Sequence, residues 1–141
     1  MNIKFKPTVV YLDMVGDLFH VGHLNLFRQA RALFSGQVDL IVGIHKDSDV
    51  ASYKRPPIIN ENQRYELIRH CDLVSKVIEA APLVITQDFI KKHKIDFVVH
   101  GDDISDELKK QHAVPIELGI VKYVPYTKGI STTEIIQRIR K

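Results

Sequence analysis

Residues 8–34 read TVVYLDMVGDLFHVGHLNLFRQARALF, and this stretch decides the fold. Thr8 to Leu12 is a short apolar run rich in β-branched residues, which predicts a buried strand. From Gly22 the period changes. Leu24, Phe27, Ala30, Arg31 and Phe34 fall on one helical face, and Gly36 follows as a stop. A strand that feeds a helix through a glycine-bearing loop is the unit from which parallel sheets are built.

The same alternation continues outward. VDLIVGI at 38–44 is a second buried strand. Residues 45–59 are polar and carry Pro56 and Pro57, so they read as a loop. Asn60 and Gln63 form a capping box for a helix through Cys71. Lys76 to Glu79 reads as a short strand, Thr86 to Lys94 as a helix, and DFVVH at 96–100 as a buried strand. A GDD turn and a polar helical segment follow. VKYVPY at 121–126 is the last strand, and Ser131 to Arg140 a helix capped by Ser131 and Glu134. The expectation is one α/β domain over residues 1–141, a Rossmann-like parallel sheet with helices on both faces.

Composition bounds the function. The chain has 141 residues and a net charge of only +3. That charge suits a phosphorylated ligand and does not demand nucleic acid. The single cysteine, Cys71, excludes an intrachain disulfide, so a reducing cytoplasm is the simplest setting. Cys71 follows His70, but a thiol in an apolar helix reads as packing. The apolar run in MNIKFKPTVVYL is too short for a signal peptide or a membrane span.

In open parallel sheets, ligands bind beyond the carboxyl ends of the strands. Three polar motifs fall there. HVGH (20–23) places two histidines beside a glycine. Gly22 would let a ligand approach backbone N–H groups, and His20 and His23 would converge as imidazolium donors on a phosphoryl group. Helix capping by the two histidines, or a zinc pair needing further ligands, are the other readings. HGDDI supplies Asp102 and Asp103, which suit ribose hydroxyls or a magnesium-bound phosphate, or a plain surface turn. GISTT offers Gly129, Ser131, Thr132 and Thr133 at a helix start, an anion site or a simple cap. Lys54 in SYKRPP is a mobile cation for a polyphosphate. This set fits transfer at a nucleotide phosphorus.

YLDMVGDLFHVGHLNLFRQAR resembles the opening of the cytidylyltransferases that act on phosphocholine, phosphoethanolamine and glycerol 3-phosphate. The likeness continues through INENQRYELIRHC, AAPLVITQDFIKKHKIDFVVHGDDI and TKGISTTEIIQRI, nearly the whole chain. The resemblance implies CTP with magnesium, a small phosphorylated acceptor, release of pyrophosphate and a homodimer. It implies that His20 and His23 stabilise the α-phosphate in the transition state and that Lys54 spans the attacking phosphate and the nucleotide. Gly22, Asp102, Gly129, Ser131, Thr132 and Thr133 would bind the nucleotide, and Asp17 would face the substrate amine.

The chain also departs from that family. The pattern D-G-x-F-D becomes Asp13-Met14-Val15-Gly16-Asp17, so Met14 replaces a glycine and Gly16 a phenylalanine. Asp72 and Tyr126 stand where the family has active-site arginines. These changes predict weaker CTP binding. They also motivate an alternative, an inactive nucleotide-binding or structural member that pairs with an active subunit. Phosphocholine favours an aromatic cage; with no tryptophan in the chain, ethanolamine phosphate or a smaller acceptor is expected.

Overall fold

The computed structural model describes residues 6–141; of the N-terminal stretch discussed above, residues 1–5 lie outside that range. Five strands form one sheet in the order β3-β2-β1-β4-β5. They are β1 (Thr8–Met14), β2 (Val38–Ile44), β3 (Lys76–Ile78), β4 (Phe97–Gly101) and β5 (Val121–Val124), and every pairing is parallel. The helices between them are α1 (Val21–Ala32), α2 (Asp47–Ala51), α3 (Glu61–Arg69), α4 (Gln87–Lys92), α5 (Asp106–Gln111) and α6 (Ala113–Glu117), with α7 (Thr132–Ile139) last. The expected α/β architecture is present. Strand order reverses at β1, which pairs with β2 on one side and β4 on the other.

Alternation along β1 divides the core. Val10 and Leu12 pack with Phe27, Ala30, Leu40, Val42, Ile68 and Val99 on one face of the sheet. Tyr11 packs with Ile41, Ile85, Ile90, Ile95 and Val98 on the other. Each fully buried aliphatic or aromatic side chain contributes about 1.5–3 kcal/mol of transfer free energy.

Several boundaries differ from the sequence reading. β1 runs on to Met14, through the buried Asp13, in register with all of β2. A buried carboxylate is tolerated there because two histidines face it, His45 Nε2 at 3.4 Å and His112 Nε2 at 3.3 Å. The loop at 45–59 contains the short helix α2. The polar segment after GDD is two helices, not one. Pro115 has no N–H to give Gln111 O, and that carbonyl accepts from Ile85 N–H at 3.1 Å instead. β5 stops at Val124, ahead of Pro125.

Among the described residues, no helix is long and apolar enough to cross a membrane.

Candidate active site

The three motifs do meet at the carboxyl ends of β1, β4 and β5, and the two histidines of HVGH are locked to each other. His20 is the N-cap of α1, and its Nδ1 accepts from Gly22 N–H at 3.0 Å. His23 Nδ1 accepts from the His20 N–H, also at 3.0 Å. This is a capping box built from two imidazoles. The rings lie 4.0 Å apart, centroid to centroid. Phe19 stacks on His23 at 5.4 Å and packs on the buried Phe27, so the pair is braced by the core.

Capping sets the chemistry. A nitrogen that accepts an N–H carries no proton, so each neutral ring bears its proton on Nε2. Burial lowers the pKa of His20, and burial together with the neighbouring His20 brings that of His23 to about 4. The expectation of imidazolium donors is therefore corrected: the free protein presents two neutral rings with Nε2–H groups to offer. The role expected of Gly22 changes too. Its N–H is occupied by His20, and a Cβ there would lie 2.7 Å from His20 Cε1. Glycine is needed to seat the imidazole, not to expose backbone.

The loop after β2 is fastened from below. Asp17 is buried, 3% exposed, and its carboxylate accepts from Ile58 N–H at 2.8 Å and Ile59 N–H at 2.9 Å. Arg55 lies 3.3 Å from the same group. Burial pushes the Asp17 carboxyl up, but these donors outweigh it and hold the group below the usual range. Asp17 is thus a stake for the loop, a role the sequence reading did not foresee, while it also lines the cleft. The fully buried Arg64 adds a second stake, donating to Val15 O, to Ile59 O at 2.9 Å and to Asp47 Oδ1 at 2.7 Å. Lys54, carried by this loop, lines the main cleft beside Arg55.

GDD and GISTT are likewise sorted by the structure. Asp102 accepts from Tyr126 N–H at 2.9 Å and so ties the β4 end to the β5 end. Asp103, by contrast, has no hydrogen bond or ion pair among the described residues and borders both cavities. Ser131 caps α7, accepting from Glu134 N–H at 3.1 Å. Thr132 and Thr133 line the cleft. The Thr132 hydroxyl donates to Asp17 O at 2.9 Å and stands 3.5 Å from His20 Nε2. Gly129 takes φ +87°, a conformation that disfavours side chains.

Two cavities share the rim. One, of about 610 Å³, runs past His23, His45, Lys54, Arg55 and Thr132. The other, of about 170 Å³, lies between α1 and the segment Pro125–Thr127 and includes Tyr126. Met14, His23, His100 and Asp103 border both. Asp72 is elsewhere. It precedes β3, and the neighbouring Leu73 O and Val38 O are joined by Arg31 at 2.7 and 2.9 Å, at the amino ends of the strands. Among the described residues no group of three metal-binding side chains occurs.

His45, His100, Arg55 and Tyr53 also line the cleft and were missed in the sequence. The first two sit at the carboxyl ends of β2 and β4, where the strand-end rule could have found them. Arg55 and Tyr53 flank Lys54 in SYKRPP.

Residues 16–138 match the family model described as cytidylyltransferase-like. The chain is 40% identical over 136 residues to the ethanolamine-phosphate cytidylyltransferase of Dictyostelium discoideum, covering 95% of this chain and 37% of that protein. It is 42% identical over 139 residues to the probable choline-phosphate cytidylyltransferase of Schizosaccharomyces pombe, with the same coverages. The chain thus spans 37% of the length of these relatives. Its fold matches the lipopolysaccharide core biosynthesis protein of Thermoplasma volcanium GSS1 with a TM-score of 0.67 at 25% identity, over 87% of this chain and 98% of that one.

Proposed function

Since this chain belongs to the cytidylyltransferase-like family, we propose that it transfers CMP from CTP to a small phosphomonoester of the ethanolamine phosphate or choline phosphate kind. An oxygen of the acceptor phosphate bonds to the α-phosphorus. The bond from that phosphorus to the oxygen bridging it to the β-phosphorus breaks, and pyrophosphate leaves with the electron pair. Negative charge shifts onto phosphoryl oxygens as this happens, and fixed donors aimed at it lower the barrier.

The observation that carries this reading is the interlocked histidine pair. Both Nδ1 atoms are held by backbone N–H groups, so both Nε2–H groups are fixed in direction before any substrate arrives. Preorganised donors of this kind lose no reorganisation energy in the transition state. Thr132, Thr133 and the α7 N-terminus, set by Gly129 and Ser131, suit the β- and γ-phosphates. Lys54 and Arg55 supply cations for the acceptor phosphate. Asp102 holds the turn that presents Asp103. Magnesium would enter on the nucleotide, neutralising its phosphates, with Asp103 as a carboxylate within the shared rim.

A homodimer fits the same reading. Position 72, an active-site arginine in the family pattern, does not line this chain's own clefts, and in the proposed homodimer the second copy would be the one to approach it.

The test is pyrophosphate release, crossing CTP and ATP with a panel of small phosphomonoesters. Release that needs CTP and an acceptor together is expected. No release with any pair overturns the transfer and leaves the inactive, nucleotide-binding member as the surviving account.

A further inference from the structure

The smaller cavity is bordered by a side-chain amide whose orientation the fold fixes. Gln29 stands half-buried on the α1 wall of that cavity, and its Nε2 donates to Pro125 O at 3.1 Å. A backbone carbonyl only accepts, so the nitrogen end of the amide must face Pro125; a flipped amide would set oxygen against oxygen. Pro125 O is itself held in place. The N–H of the next residue, Tyr126, donates to Asp102 at 2.9 Å, and Asn25, one helical turn before Gln29, reaches Thr127 Oγ1 at 3.4 Å. What the Gln29 amide still has to offer is Oε1 and the second N–H of Nε2. Neither has a hydrogen-bond partner among the described residues.

An acceptor beside a donor, in a fixed order, matches a base edge that carries an amino group next to a bare ring nitrogen. Cytosine presents that edge as N4–H and N3, and adenine as N6–H and N1. Uracil and guanine present the reverse, an oxo group next to a ring N–H, and would need the amide turned over against Pro125 O. The rest of the cavity suits the faces of a base, because Met14, Leu26, Pro125 and Ile130 give it apolar walls. His20 and His23 border the same cavity. Six residues of α1 separate His23 from Gln29, about 9 Å of helical rise. That is comparable to the span from the α-phosphate of a pyrimidine nucleotide to its amino group.

We infer that Gln29 is a specificity-determining residue: with its amide locked by Pro125 O, it accepts from the amino group of the nucleotide base, donates to the adjacent ring nitrogen, and so rejects oxo bases. This rests on the nucleotide chemistry proposed above and assigns the smaller cavity to the base. Cytosine and adenine are the two sources of the matching edge.

The experiment pairs calorimetric binding of CTP, ATP, UTP and GTP with pyrophosphate release. CTP or ATP is expected to bind about tenfold or more tightly than either UTP or GTP, since a site built to hydrogen-bond rejects a partner that leaves its polar groups unpaired; whichever of the two leads identifies the ring. Gln29→Leu, checked for folding by circular dichroism, is expected to remove that preference. A residue that only clips Pro125–Thr127 to α1 would weaken all four nucleotides alike and leave their ranking intact, so an unchanged ranking in the folded variant overturns the inference. A ligand-side probe needs no variant: the CTP analogue with hydrogen in place of the 4-amino group should bind the wild-type protein at least severalfold more weakly than CTP, and equal binding overturns the inference. A smaller preference over the oxo bases in the wild-type protein, or no binding of any of the four, also overturns it. Selective binding without pyrophosphate release would sink the transfer alone and leave the base reading standing.

Discussion

The His20 backbone N–H donates to Nδ1 of His23 at 3.0 Å, so the first histidine of the motif aims the second. The same two residues start the helix and present the donors. Stability and chemistry can therefore be separated by substitution. Asparagine is as good an N-cap as any residue, but it has no group where His20 Nε2 stands. His20→Asn should keep the melting temperature near wild type while lowering kcat by roughly 100- to 1,000-fold, the scale for one oxyanion donor. His20→Ala should lose both, with about 1 kcal/mol of stability gone with the cap. Equal turnover in His20→Asn and wild type would remove the imidazole from the chemistry.

Gly22→Ala tests why that glycine is there. Its Cβ would fall 2.7 Å from His20 Cε1, so the ring must move. Both kcat and thermal stability should drop together. A fall in nucleotide affinity alone would instead favour a glycine that exposes backbone to the ligand.

Asp17→Ala should free the loop that carries Lys54. The Ile58 and Ile59 N–H groups lose their acceptor, and with it two part-buried hydrogen bonds to a charged group, each worth roughly 1.5–3 kcal/mol at most. Faster proteolysis between residues 52 and 59 and a raised acceptor KM are expected. If only the KM of amine-bearing acceptors rises, with the loop still protected, Asp17 binds the amine.

Stability should depend on pH through His45 and His112. Their folded pKa values lie above the ordinary value of 6.5. Each then adds stability that is fully present below pH 6.5 and is lost as pH rises through the folded value. His23 works the other way. Its folded pKa of about 4 makes it destabilising as pH falls from 6.5 toward 4, where only the unfolded chain takes up the proton. Melting curves across pH should show the alkaline loss shrink in His112→Gln and the acid loss shrink in His23→Gln. Parallel curves for all three proteins would contradict these assignments.

Tyr126→Arg should tighten nucleotide binding by ~1.5–3 kcal/mol, the worth of a hydrogen bond to a charged group, because Tyr126 borders the smaller cavity. Asp72→Arg should change binding only where a second copy brings it to a cleft. Calorimetry at concentrations above and below a dimer transition, followed by sedimentation, separates the two.

Local physics made much of this molecule legible from its residues alone. Apolar runs at 8–12, 38–44 and 96–100 are strands because only burial accounts for them. Ser131 caps a helix because its hydroxyl reaches the backbone N–H three residues on. The rule that strand ends carry the site brought HVGH, GDD and GISTT to one rim. What stayed hidden depends on which groups satisfy which across long separations. Asp17 looked like a ligand to an amine, and only the fold shows its partners at residues 55–59. Asp102 and Asp103 are adjacent and chemically identical, yet one is tied to Tyr126 and the other left open. Asp13, His45 and His112 carry no shared motif, because 32 and 99 residues separate the last two from Asp13. Burial turns such a scatter into one charged cluster: a polar group removed from water must find its partner wherever the sheet brings it.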